Sequence, residues 1–360
     1  IECIFVAHSD SIFFLKTQNF ASILIMFASG KMAAMRLSRN VLGFSNRTNG
    51  LSNTIRLAST FNLNDMKGRH FLSIDELSNE ELRGLLDLSM KLKEIYNLKN
   101  PSMAESPKPL MNHSVSMIFQ KRSTRTRVST ETGMALLGGH ALFLGPSDIQ
   151  LGVNESLRDT SLVLSRFNSH ILARVFAHSD VLQLAEHATS PVINALSDLH
   201  HPLQTLADLM ALEEHFGRGA LRGKTLAWVG DGNNVLHDLM LGSVKLGMNV
   251  RVATPVGYEP DERILGITKD LAAENSCTVY TTIDASDAVL SSDVVVTDTW
   301  VSMGQEEEYK KRVDAFAGYQ VNKELMNKAN RGAVFLHCLP RHPEEVDDEV
   351  FYSEQSLIWG

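Results

Sequence analysis

The chain has 360 residues, three of them cysteine, and a net charge of −8. That length exceeds one ordinary core and sets an expectation of two domains, while the acidic balance, with a pI near 5.9, excludes nucleic acid as the main partner because no domain-wide basic surface is available to displace counterions. Cys3, Cys277 and Cys338 are too scattered to form a disulfide framework or a metal-ligand pair, so the chain reads as one from a reducing compartment.

The chain begins at Ile1, and residues 1–31 mix apolar runs with polar residues in no steady period. The apolar stretch at 20–28 is too short to cross a bilayer, so no membrane insertion is expected. This segment reads as translated upstream sequence or as part of an incomplete product. From Met32 onward Arg36, Arg39, Arg47 and Arg56 sit among Ser, Thr, Asn and Ala, with no acidic residue before Asp65. That is the composition of a mitochondrial transit peptide, a disordered basic tail being the alternative. Met32 or Met35 is then the start, with cleavage before Asn64.

Folded sequence is expected from about Lys67. Residues 73–96 carry Leu77, Leu82, Leu85, Leu86, Leu88, Leu92 and Ile95 at helical spacing. Pro101, Pro107 and Pro109 mark a loop, and a strand follows over 115–119. A helix then reaches Leu137 and is stopped by Gly138 and Gly139. Next come a strand at 140–144, a loop at 148–152, a helix at 155–166, a strand at 170–175, a short helix at 181–187 and a strand at 192–196. A long helix spans 201–216, and Gly217, Gly219 and Gly223 form a candidate hinge. The second series has strands at 225–229, 249–253, 278–282, 294–297 and 333–337, with helices at 235–246 and 261–275. Alternating strands and helices imply parallel pairing through right-handed crossovers, hence two open parallel-sheet α/β domains joined by a helix. Ligands in such sheets sit at the carboxyl ends of strands. Arg125, Arg174 and His201 all fall at or after such ends, which points to one shared site.

The turn Lys121-Arg122-Ser123-Thr124-Arg125-Thr126-Arg127 lies between a strand and a helix. A helix N-terminus offers unpartnered N–H groups and partial positive charge, the hydroxyls add donors, and Arg125 or Arg127 supplies a planar fork for a phosphate or carboxylate. A plain N-cap with a solvated basic face is the bland reading. It is weakened by four cations within seven residues at the helix end that disfavours them, so an anion, first of all a phosphorylated small molecule, is expected there. Gly230-Asp231-Gly232-Asn233-Asn234 makes a poor dinucleotide fingerprint: the third glycine is missing and no acidic residue ends the next strand. Its asparagines suit an amino-acid head group. Asp298, with Ser302 four residues on and Gly304 after it, can hold an ammonium or merely start a turn. Cys338 in His337-Cys338-Leu339-Pro340 is either a nucleophile or proton acceptor, or an ordinary core cysteine.

Taken in order, these motifs, together with Ala173-Arg174-Val175 and His201-Pro202-Leu203-Gln204, resemble the carbamoyltransferases. The loop Asp298-Thr299-Trp300-Val301-Ser302-Met303-Gly304 and His337-Cys338-Leu339-Pro340 resemble the ornithine carbamoyltransferases, the animal mitochondrial ones in particular, over residues 67–357. The resemblance implies the aspartate/ornithine carbamoyltransferase fold and transfer of a carbamoyl group from carbamoyl phosphate to the δ-amino group of L-ornithine, giving L-citrulline and phosphate with no cofactor and no metal. It implies that Ser123, Thr124, Arg125, Thr126 and Arg174 hold the phosphate. His201, Gln204, Cys338 and Leu339 take the carbamoyl end, and Asn234, Asp298, Ser302 and Met303 take ornithine. Cys338, Arg125, Arg174 and His201 are the implied catalytic group.

It further implies a homotrimer in which Gln150 reaches the neighbouring subunit's carbamoyl phosphate, and a place in the mitochondrial matrix, in the urea cycle and arginine biosynthesis. The expected organisation is a disordered extension and transit peptide at 1–64, a carbamoyl phosphate-binding domain at 65–200, a linking helix at 201–217 and an ornithine-binding domain at 218–360. Relative to the family the sequence stops before an acidic, arginine-containing segment and a final helix. An active enzyme and a catalytically impaired binding protein are therefore both expectations. A carbamoyltransferase with another amine acceptor, such as aspartate, and a dinucleotide-binding oxidoreductase are the other readings.

Overall fold

The computed structural model describes residues 63–96, 108–149, 155–301 and 306–359. The N-terminal extension and the predicted site residues Gln150, Ser302 and Met303 lie outside the described residues. The chain divides into two compact units, with the boundary between Ser197 and Asp198.

In the first unit, helix α1 (Asn79–Ile95) begins later than the apolar spacing implies. The reason is local: Ser78 accepts from the Glu81 N–H while Glu81 accepts from the Ser78 N–H, a capping box that fixes the start. Residues 74–76 form only a 3-10 turn. The strands are β1 (Ser114–Phe119), β2 (His140–Leu144), β3 (His170–Arg174) and β4 (Val192–Leu196), with helices α2 (Thr124–Leu136), α3 (Leu157–Phe167) and α4 (His178–His187) between them. All pair in parallel in the order β2-β1-β3-β4. The order reverses at β1, whose neighbours β2 and β3 lie on opposite sides, and that reversal opens a crevice above the carboxyl ends of β1 and β3. The near-continuous burial of β1, β3 and β4 is what a parallel sheet covered on both faces requires.

The second unit holds α5 (Pro202–Phe216), followed by a five-stranded parallel sheet of order β7-β6-β5-β8-β9. Its strands are β5 (Thr225–Val229), β6 (Asn249–Ala253), β7 (Val279–Thr282), β8 (Val294–Thr297) and β9 (Val334–His337). The crossover helices are α6 (Asn234–Lys245), α7 (Glu262–Glu274), α8 (Ala285–Val289), α9 (Tyr309–Ala315) and α10 (Lys323–Met326), and α11 (Asp348–Phe351) follows β9. The sequence pattern does not reveal α8 to α11 because four to seven residues are too few to display a helical period. Every residue from 202 to 213 is buried, so α5 is covered all round. It packs against α6 within this unit. The core beneath β5, β8 and β9 is aromatic, with Trp300 stacked on Phe316 at 5.2 Å. Here the order reverses at β5, between β6 and β8, and the crevice falls above β5 and β8.

Candidate active site

In the first unit the predicted basic turn opens α2. Ser123 is the N-cap, in extended backbone, and its hydroxyl accepts from the Thr126 N–H at 3.2 Å. The Ser123 and Thr126 hydroxyls are 3.1 Å apart, and Arg174 Nη1 donates to Thr126 Oγ1 at 3.4 Å. The sheet register explains this meeting, because Phe119 of β1 stands opposite Arg174 of β3 and the two strands end together. Thr124 and Arg125 occupy the first two helical positions. Arg127, read alongside Arg125 as a candidate fork, is engaged elsewhere: its Nε bonds Glu131 at 3.0 Å and its guanidinium lies 3.8 Å from the centre of the Phe143 ring.

A residue that sequence reasoning passed over organises this corner. Gln120, just after β1, donates its N–H to the Arg174 carbonyl, accepts from the Phe176 N–H at 2.7 Å and donates its amide to Asp180 at 3.0 Å. It ties the end of β3 to the turn before α2. No motif marks it; only its place between a buried strand and a basic turn could have singled it out.

In the second unit Asn233 N-caps α6, its Oδ1 accepting from the N–H groups of Val235 and Leu236 at 3.0 and 3.2 Å. Its Nδ2 donates to Asp298 Oδ2 at 2.9 Å, joining the loop after β5 to the loop after β8. Asn234 is the first residue of the same helix. Burial pushes the Asp298 carboxyl up to about 6, opposed by the His337 charge, the Thr299 N–H and the Asn233 amide. Two glycines before the helix allow the tight turn. Gly230 has φ 145°, and a Cβ on Gly232 would lie 2.3 Å from the backbone of Glu259 and Pro260. Asp231 between them is paired with buried Arg312 at 3.0 Å, and Arg312 also donates to the Trp300 carbonyl at 2.8 Å.

Beyond β9, His337 Nδ1 accepts from the Leu339 N–H at 2.8 Å, which leaves Nε2 to face Glu345 at 3.4 Å. The buried Glu345 carboxyl is itself raised to about 7, chiefly by desolvation, and also accepts from the His342 N–H at 2.6 Å. Leu339 stands at φ 66°, a left-handed conformation rare for its side chain, and Cys338 beside it is half-buried. His201 N-caps α5 and is buried; Gln204, one turn in, donates to Asp208 at 2.9 Å. The loop before His201 is clamped from α6, with His237 Nδ1 bonded to the Leu199 carbonyl and Asp238 to His200 Nδ1 at 3.1 Å.

The structure thus brings Ser123, Thr126 and Arg174 together in one unit, and Asn233 and Asp298 in the other. A model of the carbamoyl-P binding domain of aspartate/ornithine carbamoyltransferases matches residues 69–214, and a model of their Asp/Orn binding domain matches residues 222–360. The chain belongs to the aspartate/ornithine carbamoyltransferase family. Among its carbamoyltransferase relatives, the mitochondrial ornithine transcarbamylase of Gallus gallus is 51% identical over 82% of this chain and 81% of its own length. The mitochondrial ornithine carbamoyltransferase of Aquarana catesbeiana is 50% identical over 82% of each. Of solved carbamoyltransferase structures, that of Pyrococcus furiosus superposes with a TM-score of 0.76 at 45% identity, covering 81% of this chain and 91% of that one. That of the mitochondrial enzyme of Coccidioides immitis gives 0.73 at 43%, covering 81% and 95%. The two parallel sheets described above are therefore a carbamoyltransferase fold, as the motifs imply.

Proposed function

We propose that this chain transfers the carbamoyl group of carbamoyl phosphate to the δ-amino group of L-ornithine, yielding L-citrulline and phosphate. The observation that carries this reading is identity at about half of all aligned positions, 51% and 50%, to ornithine carbamoyltransferases over 82% of the chain. The chemistry of the clusters supports it. Ser123, Thr124, Arg125 and Thr126 at the N-terminus of α2, with Arg174, hold the phosphate; His201 and Gln204 hold the carbamoyl end. The neutral δ-amine attacks the carbonyl carbon, a C–N bond forms, the bond between that carbon and the phosphate oxygen breaks with its electron pair leaving on phosphate, and the departing phosphate takes the proton that the attacking nitrogen sheds. Arg125, Arg174 and His201 stabilise the oxygen charge of the tetrahedral intermediate. The ornithine side chain arrives as an ammonium and must lose a proton first. Cys338 positions it, with Asp298 taking the α-amino group beside Asn234, Ser302 and the Met303 backbone. Backbone groups at Cys338 and Leu339 help to hold the carbamoyl end, the Leu339 N–H itself being given to His337.

On the same reading residues 65–200 form the carbamoyl phosphate-binding domain and 218–360 the ornithine-binding domain. The assembly is a homotrimer with Gln150 serving the neighbouring site. The mitochondrial names of the relatives in Gallus gallus and Aquarana catesbeiana support a matrix enzyme of the urea cycle, directed there by a transit peptide. The deciding assay supplies carbamoyl phosphate with ornithine or with aspartate: citrulline is expected, and carbamoyl-aspartate in its place would overturn the acceptor. Sedimentation velocity tests the trimer.

A further inference from the structure

Helix α5 carries a buried polar pair that the reading above leaves half used. Within a run of residues buried all round, Gln204 Nε2 donates to Asp208 Oδ1 at 2.9 Å, one helical turn on, and the two residues are 4% and 5% exposed. A carboxyl so placed is costly and is retained where it has a defined partner or task. Burial pushes it up to about 7 against the opposing hydrogen bond from Gln204, and the nearby charge of Asp298 adds to the rise.

The consequence lies at the other end of the amide. Once ionised, above that pH, the carboxylate only accepts hydrogen bonds, whereas a glutamine amide has a donating and an accepting end. With its NH₂ held by Asp208, Gln204 must turn its carbonyl oxygen the opposite way. A carbamoyl group presents an NH₂ of its own, two donors that require acceptors. An amide turned over would set donor against donor. We propose that Asp208 is a positioning residue that locks the Gln204 amide with its carbonyl oxygen toward the carbamoyl nitrogen of the substrate. This rests on the assignment of Gln204 to the carbamoyl end of carbamoyl phosphate.

The test is a double-mutant cycle on the full chain with carbamoyl phosphate and ornithine. Asp208→Asn keeps the shape but can donate or accept, so the amide loses its fixed sense. kcat/KM for carbamoyl phosphate is expected to fall roughly 10- to 100-fold, the range for losing a hydrogen bond to a charged group. The KM for ornithine should stay within about 2-fold. In a Gln204→Ala background the same substitution should cost less than about 3-fold more, because the residue through which it acts is gone. The exchanged pair Gln204→Glu with Asp208→Asn keeps one buried carboxyl and the hydrogen bond and presents an accepting oxygen at 204. It should recover at least about a third of the lost kcat/KM, and it carries the test if Asp208→Asn alone does not fold. Equal losses in both backgrounds, no loss in either, or an exchanged pair as poor as Asp208→Asn would overturn the proposal. A wild-type chain that makes no citrulline while still folded would instead overturn the functional reading beneath it.

Discussion

Replacing Asn233 by alanine removes three hydrogen bonds at once, and the structure allows the loss to be divided. The two that cap α6 are worth about 1 kcal/mol together, the usual cost of an N-cap substitution. The third reaches the buried Asp298 carboxyl, and a hydrogen bond to a charged group contributes about 1.5–3 kcal/mol. The second unit should therefore lose about 2.5–4 kcal/mol. All three tryptophans of the chain, Trp228, Trp300 and Trp359, lie in that unit, so urea unfolding followed by tryptophan fluorescence reports on it alone. The pH dependence separates the two contributions. Asp298 has its folded pKa raised from 3.8 to about 6, so as an acid it costs stability progressively as pH rises through that window. The Asn233 amide opposes that rise and does most when the carboxyl is ionised. The deficit of Asn233→Ala should thus approach the capping contribution near pH 5 and reach its full size above pH 7. Asn233→Ser, which caps but is too short to reach Asp298, should show the charged part only. A loss below about 0.5 kcal/mol, the level of an ordinary surface substitution, or one independent of pH, would refute the reasoning.

Arg312→Met should destabilise the same unit by about 3–5 kcal/mol, because it leaves Asp231 buried without its cation and the Trp300 carbonyl without its donor, and the same fluorescence transition reads it. Gly232→Ala sets a methyl 2.3 Å from backbone atoms that cannot yield, and should cost about 3 kcal/mol or more or abolish soluble expression. Asp208→Asn should have the opposite effect on stability. Since the Asp208 carboxyl is raised from 3.8 to about 7, the wild-type unit loses stability as pH rises across that window, and the variant should gain relative to it from pH 4 to pH 7 in paired urea titrations. Gln120→Leu cuts both side-chain links from the end of β1, one to the turn after β3 and one to α4, and should lower carbamoyl phosphate affinity by about 10-fold or more in calorimetry without changing the second unit's transition.

The sequence was most legible where the physics is local and repetitive. β4, β5 and β8 follow from runs of apolar residues between turn signals, to the residue, because a buried parallel strand has no other way to be written, and the partly exposed β2 and β6 match the expected bounds as well. Helix starts were less legible. α1 begins at Asn79 because of a reciprocal bond between Ser78 and Glu81, and the apolar spacing continues past that boundary without registering it. At the site, Ser123, Arg174, Asn234 and Asp298 could be picked out because each ends or follows a strand. Gln120, Asn233 and Asp208 act on other protein groups across loops or along a buried helix. Their importance depends on which strand ends are neighbours and which side chains are dry, and neither is written in one segment of chain.

The two units solve one geometric problem with opposite charge. In each, the strand at which the sheet order reverses, β1 or β5, runs into a helix whose N-cap is linked, directly or through a residue of its first turn, to a residue at the end of the neighbouring strand or in the loop after it. In the first unit the cap is Ser123, linked through Thr126 to Arg174, so the partner is a cation and the helix end is left with an excess of positive charge. In the second the cap is Asn233 and the partner is Asp298, a carboxylate that offsets the helix N-terminus. The same backbone position is thereby biased toward an anion in one unit and toward an ammonium in the other. A phosphate and an amino acid are ligands of those two kinds. On the proposed function, the division of labour between the units follows from one residue type at the end of β3 and another after β8, at equivalent reversal points of a four- and a five-stranded sheet.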